Sequence, residues 1–335
     1  MSETLSSRNQ ESEPALSVIL VTPGRSDIVR KTINALLAQT ILDRIELVLV
    51  CASKKVLGNR VEATAFGAFQ LVEFGEVRTL ASARLAGIRA ATAPLVALGE
   101  DHAQPDPGWA EALVKRHAEP GVAAAGSVFL NANPGMFSWT SLIMDYGRWI
   151  EPAVGGRSED LPGHNTAWKR HLLLEYGDDL ERLLCAPTIM HWDFGSRGYT
   201  LYLEPAAKVR HVNVTRWFSF ILDHFHGARI FAGVRAHGWA WNRRLVYTAA
   251  TPVFLIRKMR EWRTHLGRIG LERELLPAAW PLLVMSAIVS SLGELLGYAS
   301  GIGNAERHVL KYDAERVDHV RIEERALLTA ANGPG

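Results

Sequence analysis

The sequence predicts an α/β fold: a mostly parallel central sheet with helices on both faces, followed by a C-terminal helical extension. Three observations predict it. Apolar strand-like runs alternate with helix-like segments from Ala15 to about Pro120, as in parallel strands joined by crossover helices. The strand runs are continuously apolar, as strands covered on both faces are. From Trp217 onward the chain reads as helix.

The elements follow in order. Residues 1–14, MSETLSSRNQESEP, are polar and lack the apolar stretch of a signal peptide; a disordered leader is expected. Leu16–Thr22 (LSVILVT) reads as the first strand. Pro23-Gly24 ends it, and Ser26 or Asp27 stands where a helix cap belongs. Ile28, Val29, Ile33, Leu36 and Leu37 then share one helical face. Ile45–Val50 is the second strand, Val77–Ala91 a helix, and Pro94–Leu98 the next strand. Residues 121–214 look mixed. Val122–Phe129 is strand-like, Pro162–Arg170 is a turn entering a helix, and Tyr199–His211 holds strand pieces separated by Pro205. The expected organisation is a catalytic domain over 15–214, in halves of about 15–120 and 121–214. A helical region over 215–325 and a disordered tail over 326–335 complete it.

A net charge of +2 over 335 residues argues against a nucleic-acid partner. Cys51 and Cys185 have no paired spacing, which fits a reducing compartment and no structural disulfide.

The functional signal is Glu100-Asp101-His102, directly after an apolar strand. Ligands of open parallel sheets sit beyond the carboxyl ends of the strands. Residues two apart on an extended segment project to one side, so Glu100 and His102 can meet one ion, Asp101 turning away or reaching a sugar hydroxyl. Such an O/N pair suits Mn²⁺ or Mg²⁺. The competing reading is a solvated loop whose acidic residues cap the next helix.

The surroundings of the trio resemble the family 2 glycosyltransferases of the GT-A fold. Glu100-Asp101-His102 through Pro107-Gly108-Trp109 is similar to that family's DxD-type motif and the "pgW" after it. Val21 to Ser26, Ala81 to Ile88, Gly163 to Arg170 and Gly198 to His211 resemble four further family segments in the same order. The departures are Glu and His in place of the DxD carboxylates, Leu85 in place of an asparagine, and Cys51-Ala52-Ser53 where an acidic residue normally meets the nucleotide base.

The resemblance implies an inverting, metal-dependent transfer from a nucleoside diphosphate sugar to a hydroxyl on a glycan or lipid-linked acceptor. Glu100, His102 and His211 are its metal candidates. Thr22, Pro23, Arg25, Ser53, Arg84, Glu100 and Asp101 are the nucleotide-sugar candidates. His164, Asn165, His191 and Trp192 are the acceptor candidates. Asp193 is the candidate general base, with helix capping as its rival role and His191 as a backup. Asp178 and Asp179 read as helix caps, and His224 and His226 as helix surface or core. The altered trio leaves one alternative open: a non-catalytic GT-A-like scaffold in polysaccharide or lipid assembly. A nucleotidyltransferase is disfavoured, because Pro23-Gly24-Arg25-Ser26 is too short for the loop such enzymes carry.

Leu275–Gly293 runs 19 residues without a charge, behind Arg257, Lys258, Arg260, Arg263, Arg268 and Arg273, with Trp262 and Trp280 nearby. Basic, aromatic and apolar residues together fit a segment lying in a membrane surface. Pro277, Pro281 and the serines argue against a clean span. A helix packed on the catalytic domain and a homo-oligomer interface are the alternatives. The expected location is the inner face of the cell membrane, in the assembly of cell-envelope polysaccharide.

Overall fold

The computed structural model describes residues 13–22, 26–54, 65–133, 135–269 and 276–329. The expected disordered leader, 1–14, lies outside them through residue 12, and the expected disordered tail, 326–335, from residue 330 on, whereas residues 326–329 belong to the helix Ile322–Thr329. Pro23, Gly24, Arg25 and Arg273 also lie outside them.

The strands are β1 (Leu16–Thr22), β2 (Ile45–Cys51), β3 (Ala68–Glu73), β4 (Leu95–Leu98), β5 (Ala103–Pro105), β6 (Val122–Asn131), β7 (Gly156–Ser158), β8 (Ala167–Lys169) and β9 (Thr200–His211). They form one sheet in the order β3-β2-β1-β4-β8-β6-β9-β5, with β7 paired to β9. The first four strands in that order are parallel, as the apolar runs predict. Beyond β4 the sheet is mixed: β8 runs antiparallel to both β4 and β6, β6 and β9 are parallel, and β5 and β7 pair antiparallel with β9. This is the GT-A-like architecture the resemblance implies.

The β1 run is apolar because both its faces are covered. Leu16, Val18 and Leu20 enter one core, while Ile19 and Val21 enter the other, as the two-residue period of a strand requires. The first core takes α1 (Ser26–Leu37), α3 (Trp109–His117) and α4 (Met136–Tyr146). The second takes α2 (Leu80–Ala90), α5 (Arg170–Leu174), α6 (Leu180–Leu184) and α7 (Thr188–Ser196). Thr79 caps α2 by accepting the Ser82 N–H at 3.2 Å.

Two local expectations need correction. Pro162–Arg170 does not lead straight into a helix: β8 intervenes, its Ala167 and Trp168 filling the gap between β4 and β6. Tyr199–His211 is one strand, not two pieces. Its pairing with β6 shifts register between Leu203 and Lys208, and that irregularity accommodates Pro205.

The helical extension consists of α8 (Trp217–Arg235), α9 (Trp241–Ile269), α10 (Leu276–Ser300), α11 (Ala305–Ala314) and α12 (Ile322–Thr329). The buried residues of α10 include Leu282, Leu283, Ser286, Ala287, Ser290, Glu294 and Tyr298, the three-and-four spacing of a single helical face. Ser286 and Ser290 point into the protein. Side chains at Gly293 and Gly297 would meet the Phe225 and Arg229 carbonyl oxygens of α8 at 2.2 and 2.5 Å, so only glycine lets the two helices come this close. Ala279–Ser300 is nevertheless long and apolar enough to cross a membrane by length and composition, with mean hydropathy 1.6.

The chain after Asn304 is more than a surface helix. It folds back onto the sheet end: Thr215 and Arg216 donate their N–H groups to the His319 carbonyl at 3.1 and 3.0 Å. Thr215 and Asn133 also donate to the Glu324 carboxylate at 3.0 and 3.2 Å.

Candidate active site

Strand β4 lies between β1 and β8 and delivers its carboxyl end to the sheet's ligand edge. The Gly99 N–H donates to the Ile19 carbonyl at 2.9 Å, and a side chain there would strike Leu20. Glu100, Asp101 and His102 follow, all buried, so the solvated-loop reading fails. The Thr32 hydroxyl of α1 lies 2.8 Å from the Asp101 carbonyl and 2.9 Å from that of Ala103, pinning the turn. In the β5–β9 register Ala103 stands opposite His211, which brings His211 beside His102.

Glu100 sits between the two imidazoles. Its Oε1 is 3.7 Å from His102 Nε2, and its Oε2 is 3.6 Å from His211 Nε2. One ligand atom from each residue lies within 4.8 Å of the others. The tautomers are set from behind. Asp101 Oδ1 faces His102 Nδ1 at 2.9 Å, and Asn213 Oδ1 faces His211 Nδ1 at 2.8 Å. An acceptor at Nδ1 fixes the ring proton there and leaves Nε2 with a bare lone pair. Both Nε2 atoms are buried with no hydrogen-bond partner among the described residues. Two orphaned lone pairs flanking a carboxylate fit a divalent ion.

Burial, with a smaller contribution from the Arg316 charge, holds His102 well below the usual imidazole range. Burial likewise lowers His164 to about 4 against the pull of Glu100. Neutral rings are the form that ligates metal.

Asn165 supports the ligand carboxylate. Its backbone is left-handed, φ 53°, and its N–H donates to the Leu98 carbonyl at 2.7 Å. Asparagine tolerates that region better than most residues. The side chain donates to Glu100 Oε2 at 2.9 Å, and Ser127 donates to the Asn165 carbonyl.

Two cavities meet at Glu100. The larger, about 670 Å³, runs from Glu100 and His211 past His164 and Asp160 to Lys258 and His265 of α9. The smaller is lined by Arg84, Asp101, His102 and Asp313. Arg84 is buried, and its Nε has no partner among the described residues.

The structure thus gathers Glu100, His102, His211, His164, Asn165, Asp101 and Arg84. Thr22 ends β1 with a buried hydroxyl that lacks a partner among the described residues, and Ser53 follows β2. Asp193 is not brought to the triad. Its carboxylate accepts the Tyr176 hydroxyl at 2.6 Å and lies 3.6 Å from Arg197, away from the cavity lining. His191 is fully buried behind the cavity: Trp168 donates to its Nε2 at 3.2 Å, and its Nδ1 meets Asp160 Oδ1 at 2.7 Å. Trp192 lines the cavity. Asp179 pairs with Arg182 at 2.7 Å and makes no side-chain cap. His224 and His226 are buried, and His224 also lines the cavity.

Sequence reasoning missed Asp160, Asn213, Asp313 and Arg316. Asn213 carried a signal, standing two residues beyond His211 on the same side of the chain. The other three carried none, since distant folding places them.

The family model described as Glycosyl transferase family 2 matches residues 17–176. No curated protein matches the sequence. Among solved structures, a mannosyltransferase from Pyrobaculum calidifontis in complex with GDP-Man and Mn2+ is similar over 89% of this chain and 87% of its own, at 17% identity and a TM-score of 0.47. The matched segment, just under half of the chain, holds Arg84, Glu100, His102 and Asn165 within the sheet described above, and over it this chain is similar to glycosyl transferase family 2.

Proposed function

We propose that the chain transfers a glycosyl residue, with inversion, from a nucleoside diphosphate sugar to a hydroxyl of a lipid-linked or glycan acceptor at a membrane surface. The observation that carries this reading is the pre-set ligand triad at the sheet edge, opening into a cavity that continues to the helical extension.

A divalent ion held by Glu100, His102 and His211 would supply Lewis-acid charge to the leaving diphosphate. Arg84 offers a guanidinium beside it for phosphate oxygens. The attacking hydroxyl needs a base. Asp160 suits that role better than Asp193, because it lines the cavity. His191 and Thr188 hold it, with Thr188 Oγ1 3.2 Å from Oδ2. A single base opposite the leaving group gives direct displacement and inversion. Glu73, at the end of β3, accepts the Lys54 N–H at 2.6 Å, which sets an acidic residue beside the expected base-binding corner at Cys51-Ala52-Ser53.

The membrane reading rests on exposed apolar side chains of α10 and the two helices packed against it: Phe218 on α8, Trp241 and Val253 on α9, and Leu292 on α10. Arg257 lies among them on α9 and also lines the cavity. Such exposure is unusual on a soluble monomer. Both cysteines are free, which fits the inner membrane face. A homo-oligomer covering the same face is the second reading.

Release of nucleoside diphosphate from UDP-, GDP-, TDP- and CDP-sugars, with and without Mn²⁺, tests the proposal. One sugar nucleotide is expected to turn over, with Asp160→Asn lowering kcat roughly 10²–10⁴-fold and Asp193→Asn leaving it nearly unchanged. Absent turnover with every donor returns the scaffold reading, and turnover that needs no metal removes the triad's ion from the reaction.

A further inference from the structure

Arg316 is a charged residue 105 positions beyond His211, yet its side chain lines the same cavity as Glu100 and His211 and is only 6% exposed. Its Nη2 lies 2.5 Å from Asp313 Oδ1, and its Nη1 is 4.0 Å from Asp223 Oδ2. Its Nε is buried with no hydrogen-bond partner among the described residues.

Neither fold nor triad accounts for this group. Burying a guanidinium is costly unless its donors are used, and here one donor stands idle. Arg84 repeats the situation on the other side, buried with an idle Nε. Asp313 lines both cavities and so lies between the two arginines, next to Glu100. The carboxylates of Glu100, Asp101, Asp223 and Asp313 outnumber these two cations. A bound divalent ion cancels that excess and so removes the site's repulsion of an anion.

The segment carrying Arg316 is fastened to the residues that follow the strand carrying His211. The His319 carbonyl accepts from Thr215 and Arg216, and the Thr215 hydroxyl accepts from the Arg321 N–H at 2.9 Å. Arg316 therefore keeps a fixed position relative to a metal ligand.

We propose that Arg316 is a phosphate-binding residue supplied by the C-terminal tail. Together with Arg84 it brackets the donor's diphosphate, and it exchanges Asp313 for a phosphate oxygen when the donor enters. The tail thereby completes the donor site. This inference rests on the sugar-nucleotide reading above.

The test is equilibrium binding of UDP, GDP, TDP and CDP, each with Mn²⁺, to the full chain. Mn²⁺ binding alone and the melting temperature are followed in parallel. A charge-assisted phosphate contact sets the expected loss for Arg316→Gln at roughly 10–100-fold for the preferred nucleotide, with Mn²⁺ binding retained. The matching nucleoside, which has no phosphate, is expected to bind both proteins equally. Arg316→Lys keeps the charge but not the two-pronged contact and is expected to lose affinity in part, which covers the case of a poorly folding glutamine variant. Binding within twofold of wild type in either folded variant overturns the inference while leaving the transferase reading intact. A wild-type chain that binds Mn²⁺ but none of the four nucleotides overturns both.

Discussion

Glu100, His102 and His211 are polar and almost wholly inside the protein, whereas Phe218, Trp241 and Val253 are apolar and 77, 74 and 65% exposed. The two sets occupy different regions, the sheet edge and the helical extension, joined by one cavity. Each inverts the usual rule of burial. At the sheet edge the inversion is sustained by neighbours that hold the rings neutral and aimed. On the helices no neighbour among the described residues covers the exposed faces. Polar groups buried with idle lone pairs await an ion, and apolar groups left in water await a surface.

The comparison breaks most sharply at the triad. His102→Ala or His211→Ala is expected to lower metal-dependent transfer roughly 10²–10³-fold, the value of several kcal/mol of Lewis-acid stabilisation. Steady-state kinetics against Mn²⁺ concentration checks it, and unchanged kcat at all concentrations would remove the triad from the reaction. The ligand set also orders the ions: two imidazoles favour Mn²⁺ over Mg²⁺, to be read in the same titration.

A smaller effect tests whether the second layer matters. Asn213→Leu frees the His211 ring to adopt either tautomer, and its expected cost is roughly 10–100-fold in metal affinity. Manganese binding followed by electron paramagnetic resonance measures it, and an unchanged affinity would show that the tautomer needs no orientation.

The helical region is tested by adding charge. Trp241→Glu with Val253→Glu is expected to cut partition onto anionic vesicles by about tenfold or more, since each buried side chain of this size contributes roughly 1.5–3 kcal/mol. Stability should move within about 0.5 kcal/mol per site, as for other exposed positions. A variant that still sediments with vesicles but changes its oligomeric state would favour the self-association reading.

The smallest effect spans both regions. Burial holds His117, beneath the sheet, and His265, on α9, at about 4 instead of 6.5. Between those values the unfolded chain binds protons that the folded chain refuses. The stability present above pH 6.5 is therefore lost as pH falls toward 4. Melting temperature against pH should slope down through that window, and less steeply in a His117→Gln, His265→Gln double variant.

Much of the fold was legible because β1, β2 and β4 are buried on both faces, which writes them as unbroken apolar runs. The mixed half was less legible: β8 is three residues long and reads as part of a turn. In the site, Glu100 and His102 were visible as neighbours on one extended segment. Asp193 stands outside the cavity lining for a geometric reason. Residues two apart on a helix point about 200° apart, so α7 cannot aim both His191 and Asp193 at the core, and His191 takes it. Arg316 was invisible because a charged tail looks solvated until it is known to fold back.

The contact between α8 and α10 at Gly293 and Gly297 has a mechanical consequence. Helices joined backbone to backbone do not slide, so the greasy outer face is set at a constant tilt and height above the catalytic edge. On the membrane reading the extension acts as a stand of fixed length. The enzyme would then select acceptors by how far their hydroxyl rises from the lipid plane, a ruler's criterion added to those of shape and charge.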